Sequence, residues 1–311
     1  MSFGVQINCW RLLGLAFLLS ACASTPASLH STSPLKATPE PSMTSASATK
    51  VSIPSPDPTG TPEPCLETNG RLVEDSYALP NGSDTAPYIV YLPPCYDLYE
   101  EAYPVGFFLH GYPQNEDHWI RLGAIESYEG LLSAGGIGPM VMIFPYQPEP
   151  YFTQTDGGPG SLEDLLQDHL SSAVYAGYRI SPIPADHAIL GVSRGGVWAL
   201  EIGLRHPERF NIVAALSPAL AYNHPRRSYD PFEIARSAEE LPEFLMISAG
   251  DREPQFSNEI DRFVSELERF GINFIFLQHE GRHEDQAWQS IMDQVFLFLA
   301  DALRENRTPV R

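Results

Sequence analysis

The chain has 311 residues, of which 43% are hydrophobic, and 39 acidic side chains against 19 basic ones give it a net charge of −20. That apolar content suits a sizeable core, and the acidity argues against a nucleic-acid partner, which needs a basic face to meet phosphates. The only lysines are Lys36 and Lys50, near the N-terminus, so a Ser-Lys dyad, a Schiff-base lysine and a phosphate-loop lysine are excluded from the folded part.

In chain order, the first feature is an apolar run from Leu12 to Leu19 preceded by Arg11. A bilayer span takes about 20 apolar residues, so the run reads instead as the core of a secretory signal, residues 1–21. It ends in Leu19-Ser20-Ala21-Cys22, which is similar to a bacterial lipobox. That similarity implies cleavage before Cys22 and lipid on its sulfur. The expected partner of this end is a membrane, and the expected location is outside the cell or in the periplasm. Residues 22–64 are dominated by Ser, Thr, Pro and Ala. They bury too little apolar surface to offset chain entropy and read as a disordered tether, spanning about 35 Å on average. Of the four cysteines, Cys65 and Cys95 fall beyond the tether. An even pair in an exported domain is expected to form a disulfide.

Residues 65–305 read as one domain, followed by a short tail, 306–311. Apolar, β-rich runs occur at 88–92, 105–109, 140–144, 188–192, 212–216, 244–248 and 274–277. Longer amphipathic stretches lie between or after them, at 161–178, 195–206, 257–270 and 285–305. Continuous apolar runs fit strands covered on both faces, and the alternation predicts a mostly parallel sheet flanked by helices on both sides. In such α/β sheets ligands sit beyond the carboxyl ends of the strands, so the residues just after each strand are the ones to inspect.

Four such places carry chemistry. Leu109-His110-Gly111-Tyr112 follows one strand and offers a backbone amide as an oxyanion donor, Tyr112 first and Gly111 next. Gly191-Val192-Ser193-Arg194-Gly195 follows another and contains G-x-S-x-G between a strand and a helix. The turn is too tight for side chains at the two glycines. It would hold Ser193 exposed at a helix N-terminus, where the amide of Arg194 stabilises an oxyanion. After the strand ending near Ser248 come Asp251 and Glu253, two carboxylates either of which could orient a histidine. The residues alone leave that choice open. Last is His279-Glu280-Gly281-Arg282-His283. As H-E-x-x-H it would bind zinc, with Asp293 or Asp301 as a third ligand, only if both histidines lay one turn apart on a helix. It follows a strand and contains Gly281, so the expected metal is none, and His283 reads as a catalytic histidine. His110 is expected to bond locally. His118, His169, His187, His206 and His224 read as surface or capping residues, the Arg194 side chain as solvated, and Arg226-Arg227 as a loop pair that could border the pocket.

The blocks FFLHGYPQNEDHW, GPMVMIFPY, SLEDLLQDHLSSAVYAGYRI, AILGVSRGGVWALEIGLRHPERF and EGRHEDQAW together resemble the esterase D-like family of α/β-hydrolases. That family includes enterochelin, feruloyl and acetyl-xylan esterases and S-formylglutathione hydrolases. The resemblance implies an α/β-hydrolase fold with Ser193 as nucleophile and His283 as general base. It further implies Trp288 at the usual distance beyond the histidine, and an acyl-enzyme reaction without metal or organic cofactor. The family pattern G-x-x-D falls on Glu253, a departure in residue type, with Asp251 as the substitute. The expected substrate is an ester outside the cytoplasm: a feruloyl or acetyl sugar ester, a siderophore ester or a small acyl ester. Acyl transfer on the same fold and a tethered binding protein with a dead site are the alternatives.

Overall fold

A computed structural model describes residues 64–306. The predicted signal, Cys22, and nearly all of the tether and tail lie outside the described residues. Eight strands form one sheet in the order β1-β2-β4-β3-β5-β6-β7-β8. They are β1 (Arg71–Ala78), β2 (Thr85–Leu92), β3 (Val105–Leu109), β4 (Val141–Pro145), β5 (His187–Val192), β6 (Ile212–Leu216), β7 (Phe244–Gly250) and β8 (Ile275–His279). The β1–β2 and β2–β4 pairs are antiparallel, and every pair from β4 to β8 is parallel.

The helices are α1 (His118–Arg121), α2 (Ala124–Ser133), α3 (Leu162–Asp164), α4 (Ser171–Gly177), α5 (Arg194–Arg205), α6 (Pro231–Ser237), α7 (Pro254–Phe270), α8 (Asp285–Gln289) and α9 (Met292–Glu305). Strand alternation divides the core in two. Phe107, Leu109, Ile189, Val213 and Ile247 join one apolar cluster with residues of α4, α5, α6 and α7. Phe108, Met142, Leu190, Val192, Ala214 and Met246 join the other, with residues of α2, α8 and α9. Helices therefore cover both faces, as period-2 side chains on a buried sheet require.

Four differences from the sequence expectation have local causes. Strand β1 was not foreseen: of its eight residues only Tyr77 is buried, so it lacks an apolar run, as befits a charged sheet edge. Helix α7 begins three residues early, because Pro254 occupies the first turn, where its missing N–H costs nothing. Its buried Ile260, Phe263, Val264 and Leu267 keep the i, i+3, i+4, i+7 spacing. The 161–178 stretch runs from α3 to α4 through a π-helical turn, Leu165–Leu170, where the Ser171 hydroxyl donates to the Leu166 carbonyl at 2.9 Å. The 285–305 stretch is two helices, broken at Ser290 and Ile291. Cys65 and Cys95 form a disulfide with a Cα–Cα distance of 5.7 Å, inside the span such a bond needs.

Candidate active site

Strand β5 delivers Ser193 into the gap before α5 with φ 55° and ψ −115°, a conformation that costs a residue with a side chain and persists only when its surroundings impose it. They do so here. A Cβ on Gly191 would lie 2.0 Å from the Gly195 carbonyl oxygen, and one on Gly195 would lie 2.4 Å from the carbonyl oxygens of Leu109 and His110. The Ser193 N–H donates to the Leu216 carbonyl at 2.8 Å, and its own carbonyl accepts from Ala219 at 3.0 Å. The turn is thus locked to both β3 and β6. Arg194 opens α5, and the first amides of a helix have no partner within it.

The Ser193 hydroxyl lies 2.7 Å from His283 Nε2. On the far side of the imidazole, Nδ1 lies 2.8 Å from Glu253 Oε2. The other oxygen, Oε1, accepts the Gly250 N–H at 2.6 Å. Glu253 is fully buried just before α7. Of the two carboxylates after β7, this one meets His283. Asp251 is partly exposed and turns elsewhere, accepting the Gly281 N–H at 2.9 Å. It and its neighbour also pair backbones across the two loops, Asp251 N–H with the His279 carbonyl and Arg252 N–H with the Gly281 carbonyl. So Asp251 braces the loop that carries His283. The imidazole is held between rings as well. Phe256 stacks on it at 3.6 Å and 12°, and Trp288 meets it edge-on at 5.0 Å and 86°.

The H-E-x-x-H segment starts on the last residue of β8, His279, and continues as a loop in which Gly281 has φ 127°. Both ring nitrogens of His283 are engaged by Ser193 and Glu253, and His279 Nδ1 faces the Glu280 carbonyl. The proposed third ligands are engaged too: Asp293 by the Ser127 hydroxyl and Asp301 by Arg304. The two histidines are not arranged one turn apart, which zinc ligation by this motif needs.

The HGY loop after β3 is more constrained than its sequence suggests. Burial pushes the His110 imidazole down to about 4, so it is neutral. Its Nδ1 donates to the Gly111 carbonyl at 3.0 Å and its Nε2 accepts the Gln147 N–H at 3.0 Å. The Gly111 N–H is occupied by His118 Nδ1 at 3.2 Å. Of the two amides considered as oxyanion donors, Tyr112's is the one this bond leaves over. Tyr112 as a whole is 59% exposed.

Several side-chain expectations need correction. His118 and His187 are buried, not on the surface. His206 is ion-paired with buried Glu163; burial works against its charge, but the Glu163 hydrogen bond and charge raise its pKa. The Arg194 guanidinium is not solvated. It donates to Asn223 Oδ1 at 2.8 Å and to the carbonyls of Phe152 and Gln154, fastening the loop after β4 to the elbow. Burial lowers its pKa to about 10, which still leaves it charged at neutral pH. Arg226 and Arg227 are engaged by Asp156 and Glu233, each at 2.7 Å. A cleft of about 630 Å³ adjoins the start of α7, lined in part by Asn223, His224, Pro254, Asn258 and Arg262. The residues that sequence reasoning missed are His118, Asp285 and Phe256. Nothing in their local sequence marks them, since each is defined by a contact made far along the chain or across the site.

The "Putative esterase" family model, Esterase, matches residues 83–299. The chain belongs to this family. It is therefore an α/β-hydrolase and a carboxylic ester hydrolase. A curated relative, an endo-1,4-beta-xylanase/feruloyl esterase of Xylanibacter ruminicola, is 26% identical over 201 residues, covering 63% of this chain. The chain spans about a quarter of that relative's length, the matched part being 26% of it. Among solved structures, a ferulic acid esterase superposes with a TM-score of 0.66 at 21% identity, covering 76% of this chain and 99% of the other. An S-formylglutathione hydrolase from Staphylococcus aureus gives 0.64 at 17%, covering 75% and 99%. A ferulic acid esterase from Anaeromyces mucronatus in complex with ferulic acid gives 0.62 at 21%, covering 79% and 95%. At these identities the superpositions speak to the fold, and the family match to the class of reaction.

Proposed function

We propose that this esterase works through an acyl-enzyme on Ser193. His283 takes the hydroxyl proton as Ser193 attacks the ester carbonyl, and Glu253 steadies the imidazolium that forms. The amides of Arg194 and Tyr112 hold the oxyanion. The alcohol leaves with the proton from His283. Water then attacks the acyl-enzyme by the same route and releases the acid. The carrying observation is the unbroken hydrogen-bonded line from the Ser193 hydroxyl through His283 to a buried carboxylate. It also weighs against a tethered binding protein with a dead site, because each member of that line is present and paired.

The substrate side of this reading is an ester outside the cytoplasm, reached by a domain exported and anchored through lipid on Cys22. The names of the relatives favour a phenolic ester such as a feruloyl sugar ester, ahead of siderophore or small acyl esters. The test is active-site labelling with a fluorophosphonate, alongside turnover of acetyl, feruloyl, longer acyl and cyclic triester substrates by the soluble domain. Wild type should label and turn over at least one ester, and Ser193→Ala should do neither. Equal labelling of the two proteins would sink the assignment.

A further inference from the structure

His118 is read above only as the partner of a backbone amide, but its position says more. Its side chain is 1% exposed, and it carries two hydrogen bonds. Nδ1 accepts the Gly111 N–H at 3.2 Å, and Nε2 lies 3.1 Å from Asp285 Oδ1. A carboxylate only accepts, so the proton sits on Nε2, and the lone pair on Nδ1 is free to take the amide. One neutral tautomer satisfies both bonds. Burial pushes this imidazole below its ordinary value, against the opposing pull of Asp285, which keeps that lone pair available.

The two ends of the relay are both elements of the reaction site. Gly111 precedes Tyr112, and a Cβ on Gly111 would lie 3.4 Å from the Ser193 Cβ and 3.5 Å from the His118 ring. Asp285 lies two residues beyond His283 and opens α8. Trp288 of the same helix meets both imidazoles edge-on, His283 at 5.0 Å and His118 at 6.1 Å. Helix α8 therefore touches the histidine that moves the proton, through Trp288, and the histidine that grips the loop after β3, through Asp285 and Trp288. The Tyr112 N–H shares its peptide plane with the Gly111 carbonyl, which accepts His110 Nδ1 at 3.0 Å and the Gln114 N–H at 2.8 Å; with the Gly111 N–H held by His118, the peptide planes on both sides of this glycine are pinned and its φ and ψ are no longer free.

We propose that His118 and Asp285 form a positioning pair: by holding the Gly111 N–H on their own side, they aim the Tyr112 N–H at the substrate carbonyl and lock the oxyanion loop in register with His283. The pair touches neither substrate nor the reacting atoms and acts through Gly111. The inference rests on the serine-hydrolase reading above. Misplacing one oxyanion donor by about an ångström weakens transition-state binding more than substrate binding, and rate losses near 100-fold are typical of such shifts.

The experiment is steady-state hydrolysis of p-nitrophenyl acetate by wild type, His118→Leu, Asp285→Ala, the double variant and His118→Asn, each checked for folding by thermal melt. His118→Leu and Asp285→Ala should lower kcat by about 10- to 100-fold while KM stays within about twofold. The double variant should be no slower than His118→Leu, because both changes cut one relay. His118→Asn, whose amide oxygen can stand where Nδ1 stood, should recover most of the loss. A folded His118→Leu with wild-type kcat, losses that multiply in the double variant, or no recovery in His118→Asn would overturn the proposal. Wild type that hydrolyses no ester and takes no fluorophosphonate would overturn the serine-hydrolase reading and this inference together.

Discussion

At the scale of single residues, the question is which carboxylate serves His283. Asp251 and Glu253 differ by two positions and one methylene, yet Glu253 is fully buried against the imidazole while Asp251 faces Gly281. Glu253→Gln should lower kcat by about 10³-fold or more, because the amide no longer stabilises the imidazolium. Asp251→Asn should keep most of its turnover. The reverse result in a steady-state assay would show that the loops rearrange in solution. A second residue makes a pH prediction. Burial, aided by the nearby Glu163 charge, pushes the carboxyl of Glu201 up to about 9. At pH below the ordinary glutamate range, folded and unfolded chains both hold this proton. Between there and about pH 9 the unfolded chain releases it and the folded chain keeps it. Stability from this group then falls as pH rises, by about 1.4 kcal/mol per pH unit, and levels off above that range. Glu201→Gln removes the slope. Its melting temperature relative to wild type should therefore rise between pH 5 and pH 8; a constant difference would refute the buried, protonated state.

At the scale of elements, the site is a meeting of loop ends. Strands β3, β5, β7 and β8 each contribute one: the HGY amides, Ser193, Glu253 and His283. Because β3 to β8 run parallel, all four ends emerge on the same edge of the sheet. The disulfide acts at this scale as well. It ties Cys65, ahead of β1, to Cys95, just past β2, and so closes the edge hairpin into a loop with a sequence separation of 30. Loop-closure entropy assigns such a link about 3.5 kcal/mol. Replacing both cysteines by serine should lower the melting temperature by about 10 °C for a domain of this size. Turnover at 25 °C should be unchanged, since β1 and β2 lie at the far edge from β7 and β8. A melt that does not move would mean the hairpin is held by its register alone.

At the scale of the whole molecule, stability rests on the two apolar layers rather than on charge. Most ion pairs have at least one exposed partner, as Arg71 with Asp97 and Arg304 with Asp301 do, and exposed pairs contribute about 0–1 kcal/mol each. With 39 acidic and 19 basic residues, many carboxylates must face water without a cationic partner. The better-buried pairs are Arg205 and His206 with Glu163, under the loop that follows β4, and His283 with Glu253. Among the described residues, no helix is long and apolar enough to cross a membrane.

Sequence by itself determined the sheet apart from its edge strand β1, because strands covered on both faces must be apolar throughout, and runs such as Phe107 to Leu109 and Ile189 to Val192 announce themselves. It also marked the turn at Ser193, since the glycines on either side leave room for backbone that no side chain could share. What only the tertiary structure decided were the pairings between distant loops. Glu253 rather than Asp251 meets His283 because the start of α7 folds one of them inward. His118, unremarkable in its own stretch, is buried and bonded to a carboxylate 167 residues further on. Local patterns record whether a residue is inside or outside a strand or helix. The direction a loop side chain takes depends on what the other loops bring to the same edge of the sheet.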